Sequence, residues 1–220
     1  MTTLTAKVRA LRRRGPADSA KHVAELVRNG LYLRETHVWY ELPLTGERPR
    51  RELPPEVTLK KASPDELPLV EQLGQSGDYA ADRVEADNDC WLVVEDEKPL
   101  FCCWIFRSRT PVAGTTGGRL ELPPGVVCLE DSVAAPAARG RGIAPGAWTA
   151  IADSLAAEGY RSMITKVGVE NAPSRKAVGK SGFVEIAEMS FKRTGLSSRL
   201  SVGWASATPT AVALAERLFF

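Results

Sequence analysis

A chain of 220 residues, 44% hydrophobic and 25% charged, has the composition of a globular protein with one good-sized core, or of one domain with an appendage. A net charge of +2 is too small to point to nucleic acid, and no run approaches the ~20 apolar residues that span a bilayer. Lys7, Arg9, Arg12, Arg13 and Arg14 precede any acidic residue and read as a solvated basic arm; no apolar run follows it as in a secretory signal, so the expected location is the cytoplasm.

Residues 18–30, DSAKHVAELVRNG, predict a short helix capped by Asp18 or Ser19, with Val23, Leu26 and Val27 on one face and Gly30 at its end. The alternation in ETHVWYEL, with Thr36, Val38, Tyr40 and Leu42 on one side, predicts a half-buried strand. The proline- and charge-rich PLTGERPRRELPPE reads as a linker and places a boundary near residue 55. VTLKKA predicts a strand, and SPDELPLVEQL opens with a helix-capping signature. CWLVVEDEKPLFCCWIFR predicts a hairpin, followed by a long loop with Gly114, Gly117 and Gly118 and by the strand VVCLEDSVAA. A helix over 144–158, the strand SMITKVGV, the helix APSRKAVGKSG ended by Gly182, and a final strand or pair in FVEIAEMSFKR complete the series. TPTAVALAERLFF predicts a Thr208-capped helix, leaving Leu218, Phe219 and Phe220 to dock on this chain or on a second copy, which makes a homodimer one arrangement to expect.

Strands and helices mix within one layer system, which predicts an α/β (α+β) fold with a partly antiparallel sheet. The expected organisation is an N-terminal extension over 1–55, a main domain over 56–194 and a tail with a short docking helix over 195–220. The four cysteines lack metal-ligand spacing, and His22 and His37 are the only histidines, so neither a metal site nor a cysteine nucleophile is expected.

ARGRGIAPGAWTAI, residues 138–151, follows a strand and runs into a helix. Glycines at 140 and 142 leave backbone N–H groups uncovered at the positive end of a helix dipole, an arrangement that binds phosphate, and Arg139 and Arg141 add charge. Neither the Walker nor the Rossmann spacing is met, and an incidental glycine turn is the alternative.

The residues carry a resemblance. RGRGIA fits the Arg/Gln-x-x-Gly-x-Gly/Ala signature of the GNAT N-acetyltransferase superfamily, with Arg139, Gly142 and Ala144 at the signature positions. NAPSRKAVGKSGF is similar to that family's Asn-led helix closed by a Gly-Phe pair, and CLEDSVAAPAARGRG resembles its fourth strand and the lead into the loop. The resemblance implies a mostly antiparallel sheet flanked by helices, acetyl-CoA or another acyl-CoA as cosubstrate, and transfer to a small-molecule or peptide amine. It implies a pyrophosphate on the N–H groups of Arg139, Gly140, Arg141, Gly142, Ile143 and Ala144, a pantetheine arm beside Ser132 and Val133, and a contact from Asn171. Glu130 stands where several members keep a catalytic glutamate. Asp131 is the alternative base, facing the other way unless a bulge swaps the two. Members with a general acid carry a tyrosine where this chain has Val178; Ser174 is a weak substitute, and a coenzyme A thiolate leaves readily without one. Two rivals remain open: transfer of a longer acyl or an aminoacyl group, and a non-catalytic acyl-CoA sensor. The acidic stretch GDYAADRVEADND, with Asp78, Asp82, Glu85, Asp87 and Asp89, is either an acceptor wall or a solvated loop.

Overall fold

In the computed structural model, which describes residues 32–75, 83, 88–112, 118–195 and 197–218, alternating apolar residues have become the strands of a sheet in the order β10-β9-β1-β8-β7-β4-β3-β2. The strands are β1 (Tyr32–Pro43), β2 (Thr58–Lys61), β3 (Asp89–Glu95), β4 (Lys98–Phe106), β7 (Val126–Ala134), β8 (Ser162–Gly168), β9 (Val184–Thr194) and β10 (Ser197–Trp204). A separate two-stranded ribbon joins β5 (Arg109–Pro111) to β6 (Arg119–Glu121). The α-helices with described bounds are α1 (Leu67–Gln72), α2 (Ile143–Ala157), α3 (Ala172–Lys180) and α4 (Pro209–Leu218). The β7–β8 pair is parallel, whereas β1–β8, β2–β3, β3–β4 and β4–β7 are antiparallel. This is the mixed, mostly antiparallel sheet flanked by helices. The helix expected at 18–30, the basic arm, Gly114 and Gly117, Phe219 and Phe220, and all of the acidic stretch except Arg83, Asn88 and Asp89 lie outside the described residues.

The backbone divides into two compact units, Thr36–Met189 with Val202–Phe220, and a smaller one whose described part is Tyr32–Glu35 with most of Ser190–Ser201. In the smaller unit the Ser201 hydroxyl donates to the Ser190 carbonyl at 3.5 Å, and the Arg193 guanidinium lies 5.7 Å from the Phe191 ring centre.

Local chemistry explains most elements. Glu66 accepts the Ser63 N–H at 3.0 Å, and the Thr208 hydroxyl accepts the Ala211 N–H at 3.2 Å, so both predicted helix starts are capped by their own side chains. Asp96 and Glu97 both take positive φ, the geometry of a tight two-residue hairpin between β3 and β4. Val38, Tyr40 and Leu42 enter the main core as their alternation predicts, but the opposite face of β1 is buried too, with Trp39 1% and Glu41 4% exposed. The cause is position: β1 lies inside the sheet, and Glu41 is held by hydroxyls from Ser162 at 2.7 Å and Thr208 at 2.6 Å.

Two segments carry more structure than their sequence suggests. The stretch after β1 has no regular structure, yet it packs along α2: Arg48 pairs with Asp153, and the Arg51 N–H donates to Thr149 Oγ1 at 3.2 Å. A Cβ at Gly146 would stand 3.0 Å from the Glu52 carbonyl, closer than an ordinary contact, so the strap would have to shift by a few tenths of an ångström to admit a side chain there. Residues 197–204, read from the sequence as tail, are strand β10. Trp148 on α2 fixes the helix to the sheet, meeting Phe101 and Phe183 edge-on with centroids 6.4 and 6.3 Å apart.

Candidate active site

Strands β7 and β8 run as a parallel pair from Val126↔Ser162 to Leu129↔Thr165, where the Thr165 hydroxyl donates to the Leu129 carbonyl at 2.9 Å. Both strands continue past that point, β7 to Ala134 and β8 to Gly168. The change shows in burial, since Val126–Leu129 are buried and the following residues open to solvent. A cleft of about 280 Å³ occupies the fork, walled among others by Glu130, Asp131, Ser132, Thr165, Lys166 and Asn171.

A bulge shapes the β7 wall. Cys102 pairs with Val133 and Trp104 with Glu130, so Cys103 alone stands opposite both Asp131 and Ser132. Asp131 takes φ 45°, a left-handed geometry that aspartate tolerates better than most residues. Because of the bulge, Glu130 and Asp131 border the same cleft, where a regular strand would put them on opposite faces. The bulge is held from outside: Gln75 Nε2 donates to the Asp131 carbonyl at 3.0 Å, and the Arg83 guanidinium pairs with the Asp131 carboxylate. Arg83 itself lies over the rings of Trp104 and Phe106, 5.1 and 5.0 Å from their centroids.

Glu130 is heavily engaged. Its Oε1 accepts from Lys166 Nζ at 2.6 Å, from the Thr110 hydroxyl at 2.7 Å and from the Cys128 thiol at 3.2 Å. Among the described residues none of these contacts falls on Oε2. Lys166 went unread in the sequence, although a lone lysine inside the apolar SMITKVGV was the available signal. Burial pulls the Lys166 pKa down, but the neighbouring groups, Glu130 first and then Cys128 and Asp131, together outweigh this and hold it above the ordinary lysine value.

The glycine turn follows the open end of β7. Gly140 and Gly142 both have positive φ, 78° and 76°, and Gly142 is the N-cap of α2. Among the described residues no side chain caps this helix; the amides of Gly142, Ile143 and Ala144 head it, while Pro145 has none. The Ile143 side chain is in the core at 1% exposure, so at this position only the backbone is open to the outside. Arg139 is exposed. Arg141 is tied down: it pairs with both oxygens of Glu95, at 2.5 and 3.1 Å, and with Glu56 at 2.9 Å, so its charge is already compensated. On the opposite wall Asn171 caps α3, accepting the Ser174 N–H at 3.2 Å, and Asn171, Ser174 and the buried Val178 all line the cleft. Ser132 accepts from the Trp148 indole N–H at 3.3 Å, while Val133 faces β4. The structure therefore brings Glu130, Asp131, Ser132, Asn171 and Ser174 to one cleft.

Residues 64–183 match the sequence profile of the acetyltransferase (GNAT) family. This chain is a member of the GNAT acetyltransferase family. The solved structures similar to this GNAT chain include a protein of the same family from Novosphingobium aromaticivorans, with 14% identity, TM-score 0.51, and 79% of this chain and 66% of that one covered. A GCN5-related N-acetyltransferase from Sphaerobacter thermophilus has 15% identity and TM-score 0.54, with 81% and 58% covered. A GNAT acetyltransferase from Colwellia psychrerythraea has 15% identity and TM-score 0.50, with 70% and 54% covered. At such identities the likeness is one of fold, and the chain spans less than two thirds of those proteins' length. No curated protein matches the sequence.

All four cysteines are buried free thiols, and burial pushes Cys90 and Cys102 up to about 12. Among the described residues no group of three His, Cys, Asp or Glu side chains is arranged to hold a metal, and no helix is long and apolar enough to cross a membrane.

Proposed function

We propose that this chain is an acyl-CoA-dependent N-acyltransferase, with acetyl-CoA the favoured donor and a primary amine of a small molecule or peptide the acceptor. The observation that carries this reading is the fork of β7 from β8, because it frees a length of β7 backbone beside a cleft and leads directly into an uncapped helix N-terminus. Backbone groups of Ser132 would hold the pantetheine arm, the amides of Gly140, Gly142, Ile143 and Ala144 the pyrophosphate, since those of Arg139 and Arg141 already donate to Pro136 and Ala138, and Asn171 the arm from the facing wall. The donor supplies a thioester carbonyl that an amine attacks.

The protein's part is to bind, align and deprotonate. Glu130 is the proposed base, taking the amine's proton on Oε2 directly or through a water, since Oε1 is occupied by Lys166, Thr110 and Cys128. Asp131 shares the cleft, but its carboxylate is paired with Arg83, which makes it the weaker candidate. Val178 cannot give a proton to the leaving sulfur, and Ser174 sits near Asn171 mainly as part of the helix cap. The thiolate leaves without a dedicated acid.

The test is binding and turnover together. Acetyl-CoA affinity is measured by calorimetry, and transfer is followed with a panel containing an aliphatic diamine, a lysine peptide and a peptide N-terminus. Gly142→Val forces a β-branched residue into φ 76° and should weaken acetyl-CoA binding at least tenfold, about 1.4 kcal/mol. Unchanged affinity would remove the glycine turn from the binding site.

A further inference from the structure

Lys166 stands one residue beyond the last β7–β8 pair, next to the residue that pairs with Leu129, just as Glu130 follows Leu129 on the other strand. Its side chain is 6% exposed and its ammonium has three acceptors: Glu130 Oε1 at 2.6 Å, Thr110 Oγ1 at 3.0 Å and the Pro111 carbonyl. Thr110 in turn donates to the same Glu130 oxygen at 2.7 Å, so every hydrogen in the triangle has a defined direction. A lysine ammonium suits this site, because it offers three donors from one point, which a planar guanidinium does not.

The partners come from different parts of the fold. Glu130 is on β7, while Thr110 and Pro111 belong to the β5–β6 ribbon, which is not hydrogen-bonded into the large sheet. Pro111 and Val112 line the cleft beside Glu130. Along β7 the cleft runs from Glu130 through Ser132 toward the glycine turn, so Lys166 works at the end away from that turn.

We propose that Lys166 is a positioning residue that fixes Glu130 Oε1 and the Thr110–Pro111 end of the ribbon with one ammonium, setting the separation between the carboxylate and the wall of the cleft formed by Pro111 and Val112. This rests on the acyl-transfer reading of the cleft. It assigns Lys166 an effect on the amine and on catalytic rate, with little effect on the acyl-CoA.

The experiment is Lys166→Met in the full chain, alone and combined with Glu130→Gln, using acetyl-CoA and the fastest acceptor of the amine panel. The expected result for the single variant is a kcat loss of about tenfold or more and a raised KM for the amine, with the acetyl-CoA dissociation constant within about twofold by calorimetry. In the Glu130→Gln background the same substitution should change kcat by less than about threefold, since the group it positions has already been removed. Proportionate losses in both backgrounds, or a matching loss of acetyl-CoA binding, overturn the role. Should Lys166→Met fail to fold, Thr110→Val removes one corner of the triangle and must reproduce the kcat loss; wild-type kcat in that variant overturns the role as well. A wild-type chain that transfers acetyl to no amine defeats the functional reading and this role with it. A wild type that turns over, matched by an equally active Lys166→Met, defeats the role of Lys166 alone.

Discussion

Glu130→Gln keeps the shape of the side chain but does not leave the site neutral. Lys166, 6% exposed, would retain its charge and face an amide oxygen in place of a carboxylate. Removing one member of a buried ion pair costs roughly 3–5 kcal/mol. Two features place this case at the lower end: Thr110 and Pro111 still accept from the ammonium, and the Glu130 side chain is 13% open to solvent. A loss of about 3 kcal/mol corresponds to a fall in Tm of about 6–12 °C for a chain of this size. The double variant Glu130→Gln/Lys166→Met removes the stranded charge and should recover at least half of the loss. Thermal unfolding followed by circular dichroism at pH 7 reads both numbers. A Glu130→Gln protein melting within about 2 °C of wild type, or a double variant less stable than the single one, would refute the buried-pair argument. Turnover of Glu130→Gln should accordingly be compared with wild type at a temperature where both are fully folded.

Gly182→Ala should destabilise by about 2–4 kcal/mol, because the position has φ 87° and a Cβ there would stand 2.7 Å from the rigid ring of Pro49. Gly140→Ala, with the same backbone sign and open space around it, carries the backbone cost alone, about 1–2 kcal/mol; equal urea midpoints for the two variants would contradict the packing of the strap. Glu66, Glu95 and Glu158 have pKa values lowered by Lys60, Arg141 and Arg107 respectively. Their contribution is therefore complete above the ordinary carboxylate value of about 4.3 and is lost as pH falls through the folded values. The urea midpoint should hold between pH 7 and 5 and drop below about 4; a decline already complete at pH 5 would point to other groups.

What the sequence made legible was whatever repeats locally. CWLVVE, VVCLEDSVA and SMITKVG state their strand character residue by residue, and Ser63 and Thr208 announce their helices through caps that need only three further residues. The glycine turn was readable for the same reason. Strand β10 carried its signal too, with Leu200, Val202 and Trp204 alternating, but the polar residues around them masked it. Residues whose meaning depends on a distant partner were not legible. Lys166 acquires its role from Glu130 and Thr110, 36 and 56 residues away, the first brought to it by the β7–β8 register and the second by the β5–β6 ribbon. Whether Glu130 and Asp131 share a face likewise turned on a bulge set against β4. The proline-rich stretch passes closest to α2 at Gly146, a helix-interior glycine that looks merely weak in sequence.

The place of β1 inside the sheet also constrains how the protein is made. Its residues pair with β8, Pro43 with Ser162 and His37 with Gly168, so the centre of the sheet closes only when segments about 120 residues apart in the chain meet. During synthesis β1 leaves the ribosome long before its partner exists and must wait with both of its apolar faces uncovered. Such long-range closure slows folding and exposes the waiting strand to wrong partners. A cut between β1 and β8 would leave two fragments, each with an open central edge. Neither would be a folding unit, but the pair should regain the native sheet by finding each other.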